Sequence, residues 1–191
     1  MNKDEERKHY EKRLKENPDS AELHFKYAAL LVKYFYNNKL AICQCVIALE
    51  LNPDYLEAHR LLGVLYSSDN ENYYLSKHHY EKVLAIKPND SDALFNIGDI
   101  DYQYFKKYDR ARYYMEKAIE IDPDFDMAHF ILSQLLIKQF CDFVKAKYHY
   151  ERAIALNEEH TDEEIEKAIN KRIADDNWRL SMDDGQWTMD D

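Results

Sequence analysis

Apolar residues recur along this chain at steps of three and four, the spacing of helices with one buried face. After Pro18 they are Leu23, Tyr27, Leu30 and Leu31; after Pro53 they are Ala58, Leu62, Leu65 and Tyr66. Each such stretch opens on Pro-Asp or Pro-Asn, polar turn chemistry that also caps a new helix. The four prolines are Pro18, Pro53, Pro88 and Pro123, each 35 residues after the last, and one more step lands on Glu158. Helix breakers confined to one period mark an array of like units, here 18–52, 53–87, 88–122 and 123–157.

Small residues keep the same phase. Ten positions past each proline stand Ala28, Gly63, Gly98 and Ser133; twelve before the next marker stand Ala41, Ser76, Ala111 and Ala146; five before it stand Ala48, Val83, Ala118 and Ala153. Small side chains at fixed places on two helices let their backbones approach closely, while Tyr80, Met115 and Tyr150 fill the layer to the next pair. The pattern predicts an all-α solenoid of antiparallel helix hairpins.

The ends depart from the pattern. Residues 1–17 align with the second half of a unit, Arg7-Lys-His-Tyr10-Glu-Lys12 matching Lys77-His-His-Tyr80-Glu-Lys82, so the chain opens on a half-unit whose charged outer face suits a capping helix. Thr161-Asp-Glu-Glu164 has the form of a capping box and starts a helix with Ile165, Ala168, Ile169 and Ile173 on one stripe, a second cap over 159–174. From 175 to 191 the chain turns acidic around Trp178 and Trp187, and a mobile tail is expected. It is read as a linear motif for another protein, as an occupant of its own or a neighbour's groove, or as an inert solubilising extension.

The spacings Leu62-Gly63-x-x-Tyr66, Ser76, Tyr80, Pro88 and Ile97-Gly98, Ala111, Met115, Ala118, Pro123 resemble the tetratricopeptide repeat. The resemblance covers about residues 5 to 174 in four in-phase copies. It implies a right-handed superhelical solenoid that binds an extended peptide or a partner helix in its concave groove. There are departures. The family's tryptophan is replaced by His24, His59, Leu94 and His129, its tyrosine by Leu31, Asp101 and Leu136, and its last proline by Glu158. The period is 35 rather than 34, with the extra residue assigned to the turn near Tyr36-Asn37-Asn38. Asp101, on a nominally packed position, is expected to loosen the third hairpin. A 35-residue helical period also fits pentatricopeptide RNA readers, against which stand the proline phase, the small-residue pattern and the charge.

Composition narrows the function further. The 191 residues carry a net charge of −11, which opposes a nucleic-acid backbone and favours a protein partner. No apolar run forms a secretory signal or a membrane span, so a soluble, cytoplasmic protein with no membrane partner is expected. Cys43, Cys45 and Cys141 are odd in number and are read as buried free thiols, with a metal or redox site as the minor alternative. No phosphate-cradling glycine loop, zinc motif or nucleophile motif is present, so neither catalysis nor a cofactor is expected. His24, His59 and His129 share one offset and His9, His79 and His149 another, a repetition that packing explains better than metal ligation.

Two surfaces stand out for binding. On the inner face implied by the resemblance lie Phe25, Arg60, Phe95 and Phe130, then Ala29, Val64, Asp99 and Gln134, with Tyr102 and Lys138 near the same face. Water-facing phenylalanines are costly unless covered, either by a peptide with apolar anchors or by superhelical curvature. The Lys and Asn clamp with which some family members hold chaperone C-terminal carboxylates is absent, Phe25, Ala29, Asp92 and Asn96 standing in its place, so no chaperone-tail binding is expected. On the outer helices, the other copies carry Arg7, Glu11 and Lys12; Lys77, Glu81 and Lys82; Arg112, Glu116 and Lys117; or Lys147, Glu151 and Arg152. The first full unit has Ile42, Val46 and Ile47 instead. These three form an apolar patch for self-association or for packing by the N-terminal segment.

Overall fold

A computed structural model of the chain describes residues 2–68 and 72–183, with side chains through Ala174. Ten α-helices follow one another, and no strand occurs among the described residues. They are α1 (Lys3–Glu16), α2 (Ala21–Leu30), α3 (Asn38–Leu51), α4 (Leu56–Ser67), α5 (Tyr73–Ile86), α6 (Ser91–Gln103), α7 (Tyr108–Ile121), α8 (Asp126–Leu135), α9 (Phe143–Leu156) and α10 (Glu163–Asp183). The contacts divide the chain into two compact units, Met1–Ile100 and Asp101–Asp191.

Each proline phase opens a hairpin. In the first unit α2 pairs with α3 and α4 with α5, and α3 packs in turn on α4; in the second, α8 packs on both α7 and α9. The phased small residues make these approaches possible: Ala28, Ala41, Ala48, Ser76, Val83, Ala111, Ala118, Ser133, Ala146 and Ala153 are all fully buried. Tyr80, Met115 and Tyr150 fill the space between layers, as their phase predicts. One core in the first unit joins Tyr27, Leu31, Cys45 and Leu62 across α2, α3 and α4; a core in the second joins Met115, Leu132, Leu136 and Ala146 across α7, α8 and α9. Because each hairpin shares its core with a neighbour, no single hairpin buries its apolar face alone.

In the first and fourth hairpins the thirty-fifth residue of the period is taken up by widening the end of the first helix. Leu31–Phe35 and Leu136–Phe140 are π-helical turns, each followed by a left-handed residue, Tyr36 and Cys141. Lys106, at the same phase, is also left-handed, with φ 53°. The backbone then closes over six residues, Asn37 N–H donating to Leu31 O at 3.3 Å, Lys107 to Asp101 O at 2.8 Å and Asp142 to Leu136 O at 3.1 Å. Side chains cap the second helices that follow, Asn37 accepting from Leu40 N and Asp142 from Lys145 N.

Both ends use polar caps. Asn2 and Glu5 form a reciprocal capping box on α1, which packs on α2 through a Tyr10–Tyr27 stack and a hydrogen bond from the Tyr27 hydroxyl to Glu11. At the other end Asp162 caps α10, and Ile165 and Ile169 pack on Tyr150. The helical backbone of α10 runs on past Ala174 to Asp183, through the first part of the stretch expected to be a tail. Trp187 lies outside the described residues, as does the side chain of Trp178.

Asp101 does not leave a loose packing site. It is fully buried, and its carboxylate lies 3.3 Å from Nε of Arg110 on α7, an ion pair that spans the hairpin turn where the family has a tyrosine.

Candidate functional site

The first helix of each hairpin carries the residues predicted to line a groove, and three of them meet a residue thirty positions onward, at the start of the next hairpin. The Phe25 ring packs edge-on against Tyr55, centroids 5.2 Å apart. The Arg60 guanidinium pairs with Asp90, and the Phe130 ring stacks on His160 at 4.8 Å and 18°. These inner positions are therefore half-buried by contacts between successive hairpins instead of facing water, and Phe95 is half-buried as well. His160 is itself held by Asp126, whose carboxylate accepts from His160 Nε2 at 2.9 Å and from Asn157 at 3.2 Å.

Tyr102 departs from the expected groove. It is 7% exposed, belongs to the core of the second unit and lies edge-on to Tyr108, because its ring turns toward the α6–α7 bend. Gln134 is half-buried and lines a cavity of about 220 Å³ with Lys138, Asp162, Glu164 and Ala168, between α8 and α10. Among the apolar inner positions that spacing names, the open one is Val64, 52% exposed on α4, one turn beyond Arg60. The half-buried Leu61 lies beside it on the same helix. Met127 on α8, 39% exposed, is the comparable apolar surface in the second unit.

Arg60 is engaged on two sides. Besides the buried Asp90, it donates to the exposed Asp92 at 3.3 Å, and Lys87 adds a second cation to Asp90 at 3.3 Å. Asp90 also accepts from Ala93 N at 3.1 Å, which fixes its carboxylate at the head of α6. A guanidinium so occupied is a poor anchor for a ligand carboxylate.

On the outer helices the contrast between units has a direct form. Arg7–Glu11, Arg112–Glu116 and Lys147–Glu151 are ion pairs one turn apart, at 2.9, 3.6 and 3.7 Å, and α3 puts Ile42 and Val46 at those two positions. Ile42 and Ile47 are half-buried, Ile42 against the first core, while Val46 is 39% exposed. Lys77, expected among the water-facing charges, is buried to 8%. The N-terminal helix reaches α2 and the turn beyond it, with Arg7 over the Phe35 ring at 5.4 Å.

The histidines form a packing device. Nε2 of His24, His59 and His129 donates to the carbonyls of Pro18, Pro53 and Pro123, at 2.9, 3.0 and 3.2 Å. A carbonyl only accepts, so Nδ1 of each ring in its neutral form carries the lone pair. That nitrogen meets the side-chain amide of Gln44 in the first hairpin, and Nδ1 of His79 and His149 in the second and fourth, at 3.0 and 2.9 Å. Burial depresses all four paired rings, His79 and His149 to about 4. His9, in phase with His79 and His149, stands exposed. No group of three or more His, Cys, Asp or Glu that could hold a metal ion occurs among the described residues.

Only one of the three thiols matches the expected burial. Cys45 lies in the first core, where burial pushes its thiol up to about 12, whereas Cys43 and Cys141 are exposed. Two residues apart on a helix, Cys43 and Cys45 point to opposite sides, so burying one turns the other out.

A family model of the tetratricopeptide repeat matches residues 91–125. Comparison with curated proteins by sequence returned no match. Among solved structures, a MamA fragment from Desulfovibrio magneticus RS-1 is 19% identical, with 84% of this chain and 88% of that one covered and a TM-score of 0.72. Another MamA structure is 21% identical, covering 78% and 85%, with a TM-score of 0.69. YrrB, described as a tetratricopeptide protein with an unusual peptide-binding site, is 21% identical, covering 78% and 74%, with a TM-score of 0.67. The chain carries a tetratricopeptide repeat and folds as the solenoid proteins of that family do, a class of protein-interaction modules. No helix among the described residues is long and apolar enough to cross a membrane.

Proposed function

We propose that this protein binds an extended peptide or a partner helix along the inner faces of the first helices of its hairpins. The observation that carries the reading is Val64, half-exposed on α4 at a position where the neighbouring helix has the small Ala29. An apolar side chain held open on a rigid helix, between Phe25 on one side and Asp92 and Asn96 on the other, suits a peptide with an apolar anchor. Tetratricopeptide-repeat likeness supports the same reading. Fluorescence anisotropy with an array of 12-residue peptides bearing apolar anchors should find binders, and Val64→Gln with Phe25→Ser should weaken them about tenfold, the effect of losing one hot-spot contact. Unchanged affinity in that variant would place binding elsewhere.

A second reading is favoured by Ile42 and Val46, which replace the ion pair that three other outer helices carry. Two copies meeting at this face would cover Val46 and give a homo-oligomeric scaffold. Sedimentation at micromolar concentration is expected to give a mass above that of one chain, and Ile42→Glu with Val46→Lys to reduce it. A single-chain mass before substitution removes this reading.

A further inference from the structure

The charges around the open apolar surface of α4 specify what kind of peptide it takes. Glu57, Leu61 and Val64 lie on one stripe of α4, and Asp92, Asn96 and Asp99 lie on one stripe of α6. Arg60 bridges the two helices by reaching Asp92. Three carboxylates, Glu57 one turn before Arg60 on α4 and Asp90 and Asp92 at the head of α6, thus stand against two cations, Arg60 and Lys87, and both cations converge on Asp90, which is 2% exposed. Arg60 meets Asp92 only at 3.3 Å, and Asp92 keeps 66% of its side chain open to solvent. Glu57 is exposed one turn before Leu61. The remaining field at the surface is negative, and both cations beside it are already paired.

We propose that the ligand of this surface is a basic peptide, with an apolar side chain seated on Leu61 and Val64 and Lys or Arg residues on either side of it facing Glu57 and Asp92. An acidic peptide is disfavoured twice, by the carboxylates it would approach and by the lack of a disengaged cation to receive it. The charge preference rests on the groove reading and adds the chemistry of the partner to it.

The test uses the full chain and three 12-residue peptides of equal Leu and Ala content with net charges of +4, 0 and −4. The basic peptide should bind about fivefold or more tighter than the neutral one, the sum of two partly exposed ion pairs. Raising salt to about 0.5 M should shrink that ratio. Glu57→Lys with Asp92→Lys should reverse the order, so that the acidic peptide binds best. Because the whole chain is acidic, Glu50→Lys with Glu81→Lys, on the outer helices α3 and α5, serves as the control and should leave the order intact. Equal affinity for all three peptides, or an order that both double variants change alike, overturns the inference. The neutral Val64→Gln separates the two readings: if it weakens all three peptides equally while no charge preference exists, the groove stands and the basic ligand falls. If it weakens none, the groove falls and takes the basic ligand with it.

Discussion

At Gly63 one missing methyl group decides how closely α4 and α5 approach. A Cβ there would stand 2.8 to 2.9 Å from three atoms of the Tyr80 ring, and Tyr80 is 3% exposed with nowhere to retreat. The Gly63 carbonyl also accepts a hydrogen bond from the Ser76 hydroxyl at 2.8 Å. Alanine improves helix propensity by about 1 kcal/mol, but overpacking a well-filled core costs about 1 to 3 kcal/mol. Gly63→Ala is therefore expected to lower the urea midpoint, and Tyr80→Leu in the same chain to recover part of the loss; a midpoint raised by the alanine would contradict the close approach. Spacing alone placed a small residue at this position, since the same phase holds Ala28 and Ser133. That the facing group is an aromatic ring, and that glycine rather than alanine is needed, depends on Tyr80 and cannot be read from the period. For Cys43 and Cys45 the sequence reading expected buried thiols, and only Cys45 is buried while Cys43, two residues away on the same helix, is exposed.

In the second and fourth hairpins, paired histidines tie the first helix both to its own proline turn and to the second helix. The rings of His59, His79, His129 and His149 pack neutral, held below their ordinary value of 6.5 chiefly by burial, and in His79 and His149 also by the facing ring. A depressed histidine contributes stability that is whole above the unfolded value of 6.5 and is lost as pH falls toward the folded value, here about 4. Each ring thus withdraws about 1.4 kcal/mol per pH unit at most within that window. Urea midpoints should fall more steeply between pH 7 and pH 5 in the natural chain than in a variant with His59→Leu and His79→Tyr, which copies Leu94 and Tyr114 of the third hairpin. Parallel pH profiles would show that the pair does not set the acid response. The sequence shows both histidine phases, but their meeting across the hairpin requires knowing which faces of the two helices touch. Tyr102 marks the same boundary of legibility: its phase matches the inner stripe, and its ring lies in the core of the second unit beside Tyr108.

Across the molecule the period reaches from Pro18 to the cap at Asp162, and the helices, their order and their small-residue seams follow from it. What the period does not contain is the thirty-residue link from the inner positions to the next hairpin, Phe25 to Tyr55, Arg60 to Asp90 and Phe130 to His160. Those links partly cover Phe25 and Phe130 within the molecule, one of the two outcomes the sequence left open for the aromatic row, and leave Val64 and its acidic surroundings as the open part. Hydrogen–deuterium exchange of the full chain with and without a saturating basic peptide measures this most directly. Binding at the inner face predicts slowed exchange in α2, α4 and α6, with α3 and α5 little changed; protection concentrated in α3 and α5 would contradict it.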